Sequence, residues 1–318
     1  MENKRSRNLD ILCVGELLVD LMTTDYADKL DGNRLFRPVQ GGSPANLCLN
    51  MVHLGKDARL VSTIGRDDIG EFLLQSLKQQ GLNTDLIARV DHPSTLILLT
   101  HSLGTPNFEA YRNADQYILP EQLPKETIEQ VSIFHTTCFA LSKEPARTNI
   151  LKAAKIASAA GVQLSIDLNY AQKIWPDQAE AQSVVKQYVQ NGALVKVSEV
   201  DWERLYGTPL KEARDAATHF LNLGAKQVCV TLGSEGALLA SKEDTHFLEA
   251  RAVTVRDTTG AGDAFWSGYL TAFLDRHNLL NCGKAGRRMA ELKLGHLGPI
   301  QSKVDRKIIY EDFVLDSV

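Results

Sequence analysis

Apolar and polar positions along the chain alternate between two periods. Short, nearly continuous apolar runs recur at Ile11–Gly15, Ala58–Ile64, Ile133–Thr136, Gln163–Asp167, Ala193–Val197 and Gln227–Leu232. Between them lie longer segments with apolar residues three and four apart: Pro44–Leu54, Gly70–Gln80, Ala146–Ala160, Gln178–Gln190, Lys211–Leu223, Gly262–Asp275 and Asn281–Leu294. The first pattern predicts strands buried on both faces, the second amphipathic helices. Gly55, Gly81, Gly161, Gly192 and Gly224 stand at or just past the helix ends, where a left-handed residue terminates a helix. Together these elements predict a mostly parallel sheet covered by helices on both faces.

Two stretches break the alternation. Residues 16–40 and 86–112 read as strands with polar turns and no intervening helix, for example Leu17–Leu21 and Thr95–Thr100. They predict either surface hairpins or a small β-layer over one edge of the main sheet, a lid that excludes water from a ligand. No repeat, low-complexity segment or flexible linker divides the chain, so one domain over 1–318 with a discontinuous lid is expected.

The 318 residues are 44% hydrophobic and 23% charged with a net charge of −4, a balance that argues against a nucleic-acid partner. No apolar run reaches the roughly 18 residues of a membrane span. Met1–Asn8 is polar and lacks the apolar stretch of a secretory signal. The five cysteines are scattered without metal-ligand spacing, which predicts core thiols in a reducing cytoplasm. Histidines are equally dispersed, so no dedicated transition-metal site is expected. The basic positions Lys284, Arg287, Arg288 and Lys293 read as a solvated helix face, and Asp67 as a helix N-cap.

The chemistry concentrates in Asp257-Thr258-Thr259-Gly260-Ala261-Gly262-Asp263. A strand-like segment, Ala252–Val255, leads into it and a helical pattern follows. Small residues at such a turn leave backbone N–H groups free for an anion. Asp263 would repel a phosphate unless it faces a group that must lose a proton. The run therefore reads either as a phosphate cradle with a general base at its lip, or as tight packing with a dipole-stabilising Asp. Walker A, dinucleotide GxGxxG and GxSxG patterns are absent, which removes the common nucleotide-binding and serine-hydrolase alternatives.

Residues 257–268 resemble the DTxGAGD signature of the PfkB/ribokinase family of carbohydrate kinases. Gly41-Gly42-Ser43-Pro44-Ala45-Asn46, running to Leu54-Gly55, resembles the family's other signature. Within the family the chain is most similar to fructokinases and 2-keto-3-deoxygluconate kinases, through Gly15-Glu16 with Asp20, Tyr111-Arg112 with Ala114-Asp115, Asp167–Tyr170 with Trp175, and Val195–Glu199. The resemblance implies a ribokinase-like three-layer α/β/α sandwich with a small β lid. It implies ATP-dependent phosphorylation of a primary hydroxyl, Asp263 as base and the amides of Gly260, Ala261 and Gly262 as the anion hole. Fructose, giving fructose 6-phosphate, is the leading substrate. A 2-keto-3-deoxygluconate kinase, a ribokinase or a silent sugar-binding member are the alternatives.

By the same resemblance Asp20, Gly41, Gly42, Asn46 and Asn169 hold the sugar. Arg112 either joins them from the lid or is a surface charge. Ser198, Thr231, Gly233 and Gly236 lie along ATP. Ser198 and Asp201 stand where the family has Asn and Glu, and Asp201, with Glu199 as a nearby alternative, holds Mg²⁺ through water. Asp257 either serves a monovalent-cation loop for K⁺ or caps the turn. Leu168 and Ala171 depart from the family's Pro and Arg, which weakens a carboxylated substrate. Exposed lid edges suggest a homodimer through the lid.

Overall fold

The computed structural model describes residues 7–313 except 28, 30, 31, 33 and 102–107. Most of the polar segment Met1–Asn8 therefore lies outside the described residues. The strands are β1 (Leu9–Val14), β2 (Leu18–Tyr26), β3 (Phe36–Gly41), β4 (Ala58–Gly65), β5 (Ile87–Val90), β6 (Leu96–His101), β7 (Phe108–Tyr111), β8 (Val131–Thr137), β9 (Gln163–Asp167), β10 (Leu194–Ser198), β11 (Gln227–Thr231), β12 (Gly236–Ser241) and β13 (Thr245–Glu249). The helices are α1 (Ser43–His53), α2 (Asp68–Gln79), α3 (Lys125–Glu129), α4 (Ala146–Ala159), α5 (Gln178–Val189), α6 (Glu199–Tyr206), α7 (Ala213–Asn222), α8 (Ala261–Leu274), α9 (Leu279–Leu294) and α10 (Arg306–Tyr310).

The main sheet runs β13-β12-β11-β10-β9-β8-β1-β4-β5. It is parallel from β11 to β5 and closes at the other edge with the antiparallel hairpin β12–β13. One face packs α4, α5 and α7 through Ile150, Val185 and Phe220; the other packs α1, α2, α8 and α9 through Leu47, Leu73, Trp266 and Met289. Each fully buried aliphatic side chain in these layers contributes about 1.5–3 kcal/mol. The α/β/α layering expected from the alternation is present. The five glycines at helix ends all have left-handed φ, from +70° to +107°.

The two irregular stretches form a second sheet, ordered β3-β2-β6-β7, in which β2 and β6 are parallel and the outer pairs antiparallel. Its inner face carries Leu18, Met22, Ile97 and Leu99, packed with Phe139 of the main body. The lid begins later than expected in its second part. Ile87–Val90 pairs with β4 in the main sheet, because it follows α2 as the return strand of a βαβ unit.

Ala252–Val255 is irregular rather than a strand. β13 already closes the sheet edge, and the chain crosses to α8 instead. There Arg256 N donates to Leu294 O at 2.8 Å and Tyr26 Oη of the lid donates to Arg256 O at 3.1 Å. The hairpin β12–β13 and the short helices α3, α6 and α10 also escape the apolar patterning. The signal for α6 was present in Ser198-x-x-Asp201, a capping box that the structure forms.

Candidate active site

Helix α8 is buried over almost its whole length, from Asp263 to Ala272, which fixes the direction of its first turn. Gly260 is its N-cap with φ +76°, a conformation that favours glycine. The amide of Ala261 donates to Thr258 O at 3.1 Å and closes the turn. Of the three amides expected to receive an anion, that of Ala261 is therefore engaged within the turn.

Asp263, in the first turn of α8, reaches α1 while its Oδ2 stays 3.8 Å from where a Gly260 side chain would start. Ser43 Oγ donates to its Oδ1 at 2.6 Å and Asn46 Nδ2 to its Oδ2 at 2.9 Å. The two signature segments thus meet at one carboxylate. Burial pushes its pKa up to about 6, with Asp167 adding to the rise and Ser43, Asn46 and Lys196 opposing it. A carboxylate raised toward neutrality while still ionised at pH 7 is suited to accept a proton.

The wall opposite is built from glycine. A side chain at Gly41 would lie 2.2 Å from Asp20 Oδ2, and one at Gly42 2.4 Å from Glu16 O. Gly42 has φ +103° and caps α1. Burial, then the charge of Asp263, pushes Asp20 up to about 7. Asp20, Gln40 and Asn46 face Asp257, Gly260 and Lys293 across one cavity under the lid. Gln40 Nε2 donates to Asn46 Oδ1 at 3.1 Å, which turns the Asn46 amide nitrogen to Asp263. Glu16 is buried behind this wall, pushed up to about 8 by burial, and accepts from Ser43 N at 3.3 Å and Thr137 Oγ1 at 2.7 Å. It holds the start of α1 in place.

Arg112 is not a surface charge. Its side chain is 7% exposed and pairs with the fully buried Asp115. It also donates to Phe139 O at 3.3 Å and to Ser142 Oγ, and stacks 4.1 Å over the Phe139 ring. Asn169 Oδ1 accepts from Phe139 N at 3.1 Å, so both residues converge on the segment that supports the lid.

Lys196, on β10, and Asp167, on β9, were assigned no role by the sequence. Both are buried, and Lys196 Nζ donates to the two Asp167 oxygens at 2.9 Å each. The ammonium lies 3.0 Å from where a Gly262 side chain would start, directly behind the anion turn. Burial disfavours its charge, but Asp167, then Asp201 and Asp263, override it and hold the ammonium above its ordinary range. A lysine inside a parallel-sheet strand, one strand from an aspartate, was the available sign.

Ser198, expected beside ATP, caps α6. Asp201 N donates to Ser198 Oγ at 3.0 Å, and Asp201 Oδ2 accepts from Ser198 N at 3.1 Å and from Ser198 Oγ. Both returning bonds use one oxygen of Asp201, whose pKa burial raises to about 6. Among the described residues no cluster of three or more metal-type ligands exists. Mg²⁺ keeps its water and takes one or two carboxylates beside phosphates, and Asp201 uses only its Oδ2 in the capping box. Glu199 lies 3.8 Å from where a side chain at Gly233 would start, and apart from the glycine's chain neighbours no other described residue comes within 4 Å of that point. The glycine at 236 answers to the sheet instead: a side chain there would meet Leu248 O at 2.1 Å. Thr231 ends β11, opposite Ala237.

Asp257 is 1% exposed, and each carboxylate oxygen is engaged. Oδ1 accepts from Thr259 N at 2.9 Å; Oδ2 accepts from Gly298 N at 2.9 Å and Lys293 Nζ at 3.2 Å. Burial opposes ionisation, but these partners outweigh it and hold Asp257 below its ordinary range. Lys293 is therefore no part of a solvated face. It continues the buried stripe of Ala285 and Met289 at four-residue spacing, the pattern that could have revealed it. All five cysteines are buried and free, as expected.

An α/β/α body, a β lid, and an acid between an anion turn and a polar cleft define a phosphotransferase class. The pfkB family carbohydrate kinase profile matches residues 8–306. The chain is 33% identical over 294 residues to an ATP-dependent 6-phosphofructokinase of Thermoanaerobacterium thermosaccharolyticum, spanning 92% of this chain and 90% of that protein. It is 32% identical over 275 residues to fructokinase-2 of Solanum habrochaites, spanning 85% and 83%. The solved structure of Halothermothrix orenii fructokinase superposes with a TM-score of 0.77 at 31% identity, covering 91% of this chain and 99% of that one. A fructokinase from Xylella fastidiosa with bound ATP shares the fold, with a TM-score of 0.81 at 24% identity and 95% and 97% coverage. The chain belongs to the pfkB family of carbohydrate kinases.

Proposed function

We propose that the protein transfers the γ-phosphate of ATP to the primary hydroxyl of a monosaccharide, fructose to fructose 6-phosphate. The placement of Asp263 carries this reading: its carboxylate is held between Ser43, Asn46 and the anion turn. The sugar's hydroxyl oxygen attacks the γ-phosphorus as the bond to the ADP oxygen breaks, and the hydroxyl proton passes to Asp263. Gly260 and Gly262 receive the charge that develops on the transferring group, with the α8 dipole and the Lys196 ammonium behind them. Asp20, Gly41, Gly42, Asn46 and Asn169 fix the sugar, and the lid, steadied by Arg112, excludes water. Ser198, Thr231, Gly233 and Gly236 border ATP. Asp201 and Glu199 would hold Mg²⁺ through water, where the ion neutralises phosphate charge. Alignment and charge neutralisation supply most of the acceleration in such transfers.

A second reading is favoured by Arg37. It opposes Met22, two pairs beyond Asp20–Val39 and on the same face of the lid, and its buried Nε has no hydrogen-bond partner among the described residues. A cation there suits a sugar that already carries a phosphate, as the name of the 6-phosphofructokinase relative suggests. Ala171 leaves no arginine for a carboxylate, which disfavours 2-keto-3-deoxygluconate.

Buried free thiols fit a reducing cytoplasm, and among the described residues no helix is long and apolar enough to cross a membrane. The lid edges β3 and β7 expose Phe36 and Tyr111, which supports a lid-to-lid dimer; sedimentation of the protein, with a monomer as the contrary result, tests it. The substrate reading is tested by ADP release with fructose, fructose 6-phosphate, ribose, 2-keto-3-deoxygluconate and glucose. Fructose is expected to give the highest kcat/KM; preference for fructose 6-phosphate would select the second reading, and no turnover of any neutral or phosphorylated sugar would overturn both.

A further inference from the structure

The monovalent-cation loop that the family resemblance implies around Asp257 does not fit K⁺ in this chain. The Lys293 ammonium lies where oxygen ligands converge: Asp257 Oδ2 at 3.2 Å, Asp257 O at 3.4 Å and His296 O at 3.5 Å. Lys293 is 4% exposed and Asp257 1%, so the charge has little solvent of its own. A primary ammonium is close to K⁺ in size and takes the same hard oxygen partners. A second cation in the same cage would face both repulsion and lost ligands.

We infer that Lys293 is a tethered replacement for a monovalent cation, which makes the anion turn independent of K⁺. Its place in the chain explains what it does. Asp257 also receives Thr259 N and Gly298 N, so the ammonium joins the segment entering the turn to the loop after α9. Its Cε lies 3.9 Å from where a Gly260 side chain would begin, directly under the α8 N-cap. Without a cation, Asp257 would be a buried, unpaired carboxylate next to a site for phosphate. A dissociable ion makes that pairing depend on ionic conditions; a lysine anchored on α9 does not. Lys293 is accordingly a positioning residue: it acts on the phosphate through Asp257 and the turn. The inference rests on the turn serving as an anion hole, and not on which sugar is used.

The test compares the full-length protein in KCl and in tetramethylammonium chloride at equal ionic strength. For the native protein, ADP formation with any sugar it accepts should change by less than about twofold between the salts, and the melting temperature should be the same in both. Lys293→Met should melt about 5 °C or more lower in tetramethylammonium, and regain both melting temperature and turnover in KCl or NH₄Cl. The melting readout stands whatever the substrate. A native protein activated several-fold by K⁺, or stabilised by it, would overturn the inference. So would a folded Lys293→Met variant that responds to K⁺ no more than the native protein. If the variant does not fold, Lys293→Gln is measured the same way, and the native comparison remains decisive.

Discussion

Asn46 and Asp263, which are 217 positions apart, share a hydrogen bond of 2.9 Å from Nδ2 to Oδ2. One belongs to the segment read as sugar-binding, the other to the anion turn. The bond fixes the carboxylate oxygens relative to the sugar cleft, since Ser43 holds the second oxygen. Asn46→Ala should lower kcat/KM by about tenfold or more, as expected when a base loses its orienting partner. Steady-state kinetics checks it; an unchanged kcat/KM would remove Asn46 from the site.

The pH profile follows from the buried charges. A general base at position 263 must be ionised, and burial pushes the Asp263 pKa up to about 6, so kcat/KM should fall as the pH drops through 6. Lys196 lowers that pKa and Asp167 raises it. Lys196→Met should therefore shift the acid limb to higher pH, and Asp167→Asn should shift it to lower pH. Profiles of the two variants, with circular dichroism to confirm folding, test the opposed signs. Movement in the same direction would contradict the arrangement.

Gly41 is glycine because a side chain would collide with Asp20 at 2.2 Å. Gly41→Ala should displace Asp20 and raise the KM for sugar by about tenfold, with the KM for ATP nearly unchanged. Kinetics with each substrate varied in turn separates the two; equal effects on both would point to general disorder of the lid instead.

Asp201 closes the capping box of α6 on Ser198. Asp201→Ala should cost about 1 kcal/mol of stability, measured by urea denaturation. If the same carboxylate helps hold Mg²⁺, the Mg²⁺ concentration for half-maximal activity should rise as well. A stability loss alone would leave Asp201 as a cap only.

The layers were readable because their signals are local. Apolar runs such as Gln163–Asp167 match the observed strand end to end, and the glycine caps mark helix ends by backbone geometry. The irregular segments failed where pairing, not pattern, decides. Ile87–Val90 joins the main sheet through β4, and Ala252–Val255 has no strand to pair with. In the site, Asp263 and Asn46 were legible from motif spacing. Lys196 and Lys293 were not, because a charge becomes a site residue only when folding buries it beside a carboxylate. The basic neighbours of Lys293 point to a solvated position, whereas its helical phase with Met289 places it inside. The amide of Ala261 was lost to Thr258 by turn geometry that no motif encodes.

The central claim is that Asp263 accepts the proton of the attacking hydroxyl. Its most direct test is the turnover number of Asp263→Asn at saturating ATP and sugar, with sugar affinity measured separately by calorimetry. Asn preserves the shape and the bond from Ser43 but cannot take the proton. The expected result is a loss in kcat of about a thousandfold or more, with sugar affinity within a few-fold of the native value. A variant that retains a tenth or more of the native kcat would contradict it.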